Sequence, residues 1–158
     1  MKNKKNGYTL LEMLIYVGLL AAMAILVTAS AIYIFRFFGI VRIERRLALQ
    51  GDTVLETMVR EIRKTSRVDE SASVFGNNPG KLVLQDVTFA ISGGVLQMTK
   101  DGQTDDLTRN VSVTRFVVYR AISSVSELIT IRMTLQAGSG ALLRSKNYFA
   151  SAVTRGTY

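Results

Sequence analysis

The carboxylate of Glu12 stands one residue before a run of 23 uncharged residues, Met13 to Phe35. An ionisable group at the edge of so apolar a segment is costly, so it reads as functional by default. The plainer alternative places the carboxylate among lipid headgroups. Other residues that could do chemistry are weaker. Asp101, Asp105 and Asp106 gather three carboxylates within six residues. Calcium is conceivable there, but an EF-hand places its carboxylates before the glycine and a Glu after it, and Asp-Gly followed by polar residues reads as a turn. Ser123, Ser124 and Ser126 have no partner base, because the chain contains no His. A Ser-Lys pair with Lys100 or Lys146 is formally open, yet nothing around a serine suggests an activated nucleophile. Gly138-Ser139-Gly140 lacks the Lys-Ser/Thr of a phosphate loop. With neither His nor Cys, zinc sites, thiol nucleophiles and disulfides are excluded. The expectation is no catalytic site, no metal and no cofactor.

The element that must position Glu12 is the segment following it. Met13 to Phe35 as helix is about 35 Å long, enough for a hydrocarbon core of about 30 Å. Before it lies a short basic stretch with Lys2, Lys4 and Lys5, and Arg36 ends it. A secretory signal has a shorter apolar core and a cleavage site after it. A plain anchor fits the length and leaves Glu12 unexplained.

Gly7-Tyr8-Thr9-Leu10-Leu11-Glu12, with the apolar residues to Leu20, resembles the N-terminus of type IV prepilins and pseudopilins. That family has a basic leader, a Gly before the cleavage point, a mostly aromatic first mature residue and Glu as the fifth. The resemblance implies that a prepilin peptidase cuts between Gly7 and Tyr8 and methylates the new amine of Tyr8. It also implies that Glu12 pairs with the terminal amine of a neighbouring subunit and sets helix register, an attraction that is strong in a low dielectric. Tyr8 replaces the commoner Phe. The Pro that kinks many major pilins is absent, with Ala29 near its place, so unwinding in a fibre would have to use Gly18 or Gly39. Gly18, Ala21 and Ala22, with Ala29 and Ser30, are the small residues that would allow close helix packing.

Lys and Arg near the two ends of the apolar run number three and four, so charge alone does not orient it. The resemblance implies a single-pass inner-membrane protein with its N-terminus in the cytoplasm and its globular part outside, which then joins a periplasmic or surface fibre.

Ile40, Ile43, Leu47, Val54, Met58 and Ile62 recur at helical spacing, with Leu55 and Val59 beside them. The opposite face holds Arg42, Arg45, Arg46, Asp52, Glu56, Arg60, Arg63 and Lys64, with Glu56 and Arg60 placed to pair. One helix is predicted from about Tyr8 to Arg67. Residues 36–67 carry eight basic and four acidic groups. Without aromatic interleaving or a recognition motif, this reads as a solvated face with headgroup anchors and not as a nucleic-acid site.

Beyond residue 68 the period changes to two. A polar loop runs from Asp69 to Gly80, and strands are predicted at 81–85, 87–91, 95–99, 111–120, 128–135 and 142–153. Gly93-Gly94 signals a hairpin, and the alternation slips near Arg115, suggesting a bulge. The fold class is α+β, a long N-terminal helix packed on a single antiparallel sheet of about four to six strands. The organisation is a cleaved leader (1–7), a membrane and polymerisation half-helix (8–35), an amphipathic half-helix (36–67) and a sheet domain (68–158).

Val87-Thr88-Phe89, the run from Asp106 to Val111 leading to Phe116 and Tyr119, and Phe149 to Gly156 are loose echoes of J-type minor pseudopilins and related minor pilins. The function this implies is a non-enzymatic minor pilin or pseudopilin subunit of a type IV pilus-like or type II secretion fibre, at its tip or initiation complex, with prepilin peptidase and other pilins or pseudopilins as partners. Two alternatives remain. One is a DNA-uptake or adhesive pilin with a ligand on its globular domain, although residues 68–158 carry only +2 net charge. The other is an anchored domain that forms no fibre.

Overall fold

A computed structural model describes residues 9–123 and 126–155. The elements are α1 (Leu10–Lys64), β1 (Lys81–Val83), β2 (Val87–Ser92), β3 (Val95–Lys100), β4 (Gln103–Asp106), β5 (Ser112–Ile122), β6 (Glu127–Ala137), a short 3-10 turn at Gly140–Leu142, and β7 (Arg144–Val153). The chain divides into two units, Met1–Gly39 and Ile40–Tyr158.

The first unit is helix from Leu10 onward. Thr9 starts it: its Oγ1 accepts the Glu12 N–H at 3.3 Å, and its carbonyl accepts the Met13 N–H at 3.2 Å. This is an N-cap, and Thr-Leu-Leu-Glu has the capping-box spacing, a signal the sequence reading passed over. Gly18 and Gly39 stay helical. Thr28 and Ser30 donate their hydroxyls to the carbonyls of Ala24 and Leu26, each at 2.8 Å, so neither leaves an unmet donor on an apolar surface.

In the second unit the predicted stripe is the buried one. Leu47, Val54, Met58 and Ile62 are at most 1% exposed, and Ile43, Leu55 and Val59 pack beside them. Full burial of such a side chain is worth about 1.5–3 kcal/mol relative to exposure. The polar face is exposed as expected. Arg60, however, approaches Glu61 (3.7 Å), and no Glu56–Arg60 ion pair forms among the described residues.

The helix packs on antiparallel strands, as the α+β reading requires, but these form two sheets. One has the order β1-β2-β3-β4 and the other β5-β6-β7, seven strands among the described residues. The sheets meet where Val113 N–H donates to Gly94 O (2.7 Å), and the loop before β1 lies along β5 through Gly76 N–H to Val118 O and Gly80 N–H to Phe116 O. Leu82, Phe89 and Leu96 from the first sheet join Phe116, Ile129, Ile131 and Leu135 from the second in one core.

The bulge falls where the alternation slips, with a register shift between Val113 and Arg115. Ile129, Ile131, Met133 and Leu135 face inward, as predicted. Strand β4 was missed. The turn is confined to Asp101 and Gly102, after which Gln103–Asp106 pairs with β3. Exposed throughout, this edge strand has no apolar alternation to betray it. The last strand starts two residues later than predicted, because Gly140–Leu142 coil into the 3-10 turn.

Gly51 lies on the buried stripe because the Tyr148 ring of β7 occupies the space of its missing side chain; a Cβ there would stand 2.3 Å from ring carbons. Ala normally favours a helix over Gly by about 1 kcal/mol, but forcing a buried ring aside costs about 1–3 kcal/mol, so the clash wins. Gly51→Ala is therefore expected to lower the thermal midpoint of the full chain in detergent, followed by circular dichroism. The Tyr148 hydroxyl is buried with no hydrogen-bond partner among the described residues. Tyr148→Phe is expected to match or exceed the parent's stability in the same measurement, since it removes a desolvated polar group.

Candidate functional site

The sequence-predicted residues fall on the first helical turns of α1. Gly7 and Tyr8, where cleavage is expected, lie outside the described residues. Glu12 is in the first turn, where the helix's unpaired N–H groups favour a negative charge. Its side chain is half-buried, and no described cation lies within 4 Å of its carboxylate. Gly18 and Ala22 are four residues apart and so share a helix face, with Ala21 beside them. All three are exposed, and a Cβ built on Gly18 meets nothing within 4 Å.

The large side chains around them are exposed as well: Leu14 at 65%, Leu20 at 71% and Phe35 at 75%. None of the most apolar stretch of this helix is buried within the chain. The helix is long and apolar enough to cross a membrane.

The other candidates are not brought together. Lys100 points its Nζ at Glu61 Oε2 (3.7 Å), and Lys146 lies over the Tyr148 ring, 5.4 Å from its centroid, so neither attends a serine. Ser123 donates its N–H to Ser126 O in the β5–β6 turn, and Ser124 lies outside the described residues. No group of His, Cys, Asp or Glu capable of holding a metal ion occurs among the described residues.

Two charged clusters that sequence reasoning missed are structural. Arg120 is bound twice by Glu127, through Nε and Nη2 at 3.0 Å each, and once by Glu70 at 2.6 Å, with Phe75 under its guanidinium. The hydrogen bonds from Glu127 and then Glu70 raise its already high pKa further. Glu61 sits on the buried side of α1, held by Lys64 at 2.8 Å and flanked by Lys100 and Arg60 at 3.7 Å. The Lys64 hydrogen bond lowers its pKa, against the effect of burial and with help from the charge of Lys100. The signal for Arg120 was faint, an Arg and a Glu on adjacent strands of a hairpin. For Glu61 it was a carboxylate beside the apolar stripe.

A carboxylate whose pKa falls on folding contributes stability above its unfolded value and loses it as pH drops through the folded one. The chain is expected to lose thermal stability on acidification through the ordinary glutamate range. Glu61→Gln should flatten part of that slope while lowering the midpoint at neutral pH, read as midpoint against pH. Arg120→Ala leaves Glu127 nearly buried without a cation and is expected to cost about 3 kcal/mol or more in denaturant unfolding.

Comparison with protein-family models, with curated proteins and with solved structures finds no match.

Proposed function

We propose that this chain is a non-enzymatic structural subunit of a type IV pilus-like or type II secretion fibre. In this reading it is cut by a prepilin peptidase between Gly7 and Tyr8, methylated on Tyr8 and held in the inner membrane by α1, with its leader in the cytoplasm. It then assembles with other pilins or pseudopilins through that helix.

The observation that carries the reading is the surface of α1 between Leu10 and Gly39. Its large apolar side chains find no cover among the described residues and need lipid or other helices around them. The single carboxylate at its start supports assembly beyond simple anchoring, because an ionisable group at the edge of so apolar a segment is costly and a neighbouring subunit's amine would offset that cost. The Gly-Tyr pair ahead of it, at the family's spacing, supports the cleavage point.

Intact mass of the membrane-extracted protein, with and without a co-expressed prepilin peptidase, tests this. The expected result is loss of the mass of Met1 through Gly7, with or without one methyl group. An unprocessed chain beside an active peptidase would overturn the reading. Glu12→Val is expected to be processed normally yet to disappear from sheared or pelleted fibres. If it assembles like the parent, Glu12 has no part in assembly.

A further inference from the structure

We infer that the outward face of the β5-β6-β7 sheet docks the acidic β3–β4 hairpin of a second copy of this chain. The inference rests on the fibre-subunit reading and names a contact between globular units within it. The register puts Arg132 of β6 directly opposite Phe149 of β7, while Arg115 and Tyr119 flank it diagonally on β5. Diagonal neighbours of this kind stand about 7–8 Å apart, so the four side chains form one patch.

Phe149 is 81% exposed, the highest value among the described large apolar residues outside α1. Arg132 lies over the Tyr119 ring, 5.2 Å from its centroid, a cation–π contact that holds its guanidinium against the sheet. Neither Arg115 nor Arg132 has a carboxylate within 4 Å among the described residues. The three strands contain one acidic residue, Glu127, and it is bound to Arg120. Exposed aromatics and arginines with acids excluded are the composition of a protein-binding patch.

The complementary charge is on the same unit. The β3–β4 hairpin presents Asp101, Asp105 and Asp106, all exposed and without a cation within 4 Å among the described residues. Its one cation, Lys100, is directed at Glu61. Strand β4 is also a sheet edge, with pairing partners on one side only. Acidic hairpin and basic face are separate surfaces of the unit, so a head-to-tail contact between them can repeat from copy to copy. Opposite charges choose this pairing over face-to-face or hairpin-to-hairpin contact, both of which set like charges together.

The chain contains no cysteine, so introduced thiols report contact cleanly. Full-length Thr104→Cys and Ser151→Cys chains, carrying different tags, are co-expressed and oxidised in isolated membranes, whether or not they are processed. The expected result is a disulfide between the two variants several-fold more abundant than either variant gives alone. Arg115→Glu/Arg132→Glu on the Ser151→Cys chain should abolish it, and Asp105→Arg/Asp106→Arg on the partner should restore it. All these positions are exposed, and unchanged melting checks the fold.

No mixed disulfide, or one insensitive to the charge reversals, overturns the docking. Processed fibres without it leave the fibre reading standing; a disulfide between unprocessed chains does the reverse. Retention of labelled single-stranded DNA by the parent and not by the arginine variant, with no disulfide, assigns the face to a polyanion and overturns self-docking.

Discussion

Four side chains on one stripe of α1, Leu47, Val54, Met58 and Ile62, face strands from both sheets at once. The sheets share few backbone hydrogen bonds, and the first of them is a narrow meander with short outer strands. Neither could bury its inner face alone, since small sheets need something packed on them to be stable. The helix supplies that cover. Close approach is made possible at Gly51, where Tyr148 presses its ring onto the helix backbone. Because the helix and the sheets share one core, stability cannot be divided between them.

Charge is arranged around this core in two ways. Glu61 and Arg120 are ionised groups at its edge, each held by more than one partner, which is how a charge can leave water without prohibitive cost. Elsewhere the unit keeps its signs apart. Acids collect on the β3–β4 hairpin and are excluded from the outer face of β5-β6-β7. A net charge near zero over residues 68–158 conceals this separation, because summation removes position.

The proposed site at the start of α1 differs in kind from an enzyme's active site. Among the described residues, Glu12, Gly18, Ala21 and Ala22 converge on no common site. A surface that is completed only by lipid or by other helices leaves its signature in sequence, as an uncharged run and one misplaced carboxylate. The fold adds the Thr9 cap, whose hydroxyl accepts the backbone N–H of Glu12 and starts the helix there.

Periodicity alone was sufficient for the helix stripe, the inward residues of β6 and the bulge near Arg115, because each is a local alternation of apolar and polar side chains. The α+β class followed from the change of period after residue 68. The division into two sheets did not follow, since a strand carries no mark of which neighbour it will pair with at long range. Strand β4 escaped because an edge exposed on both faces has no burial to impose a pattern. The partners of Arg120, the burial of Glu61 and the patch around Arg132 and Phe149 depended on register. Register brings residues distant in sequence to neighbouring positions, and only tertiary packing selects it.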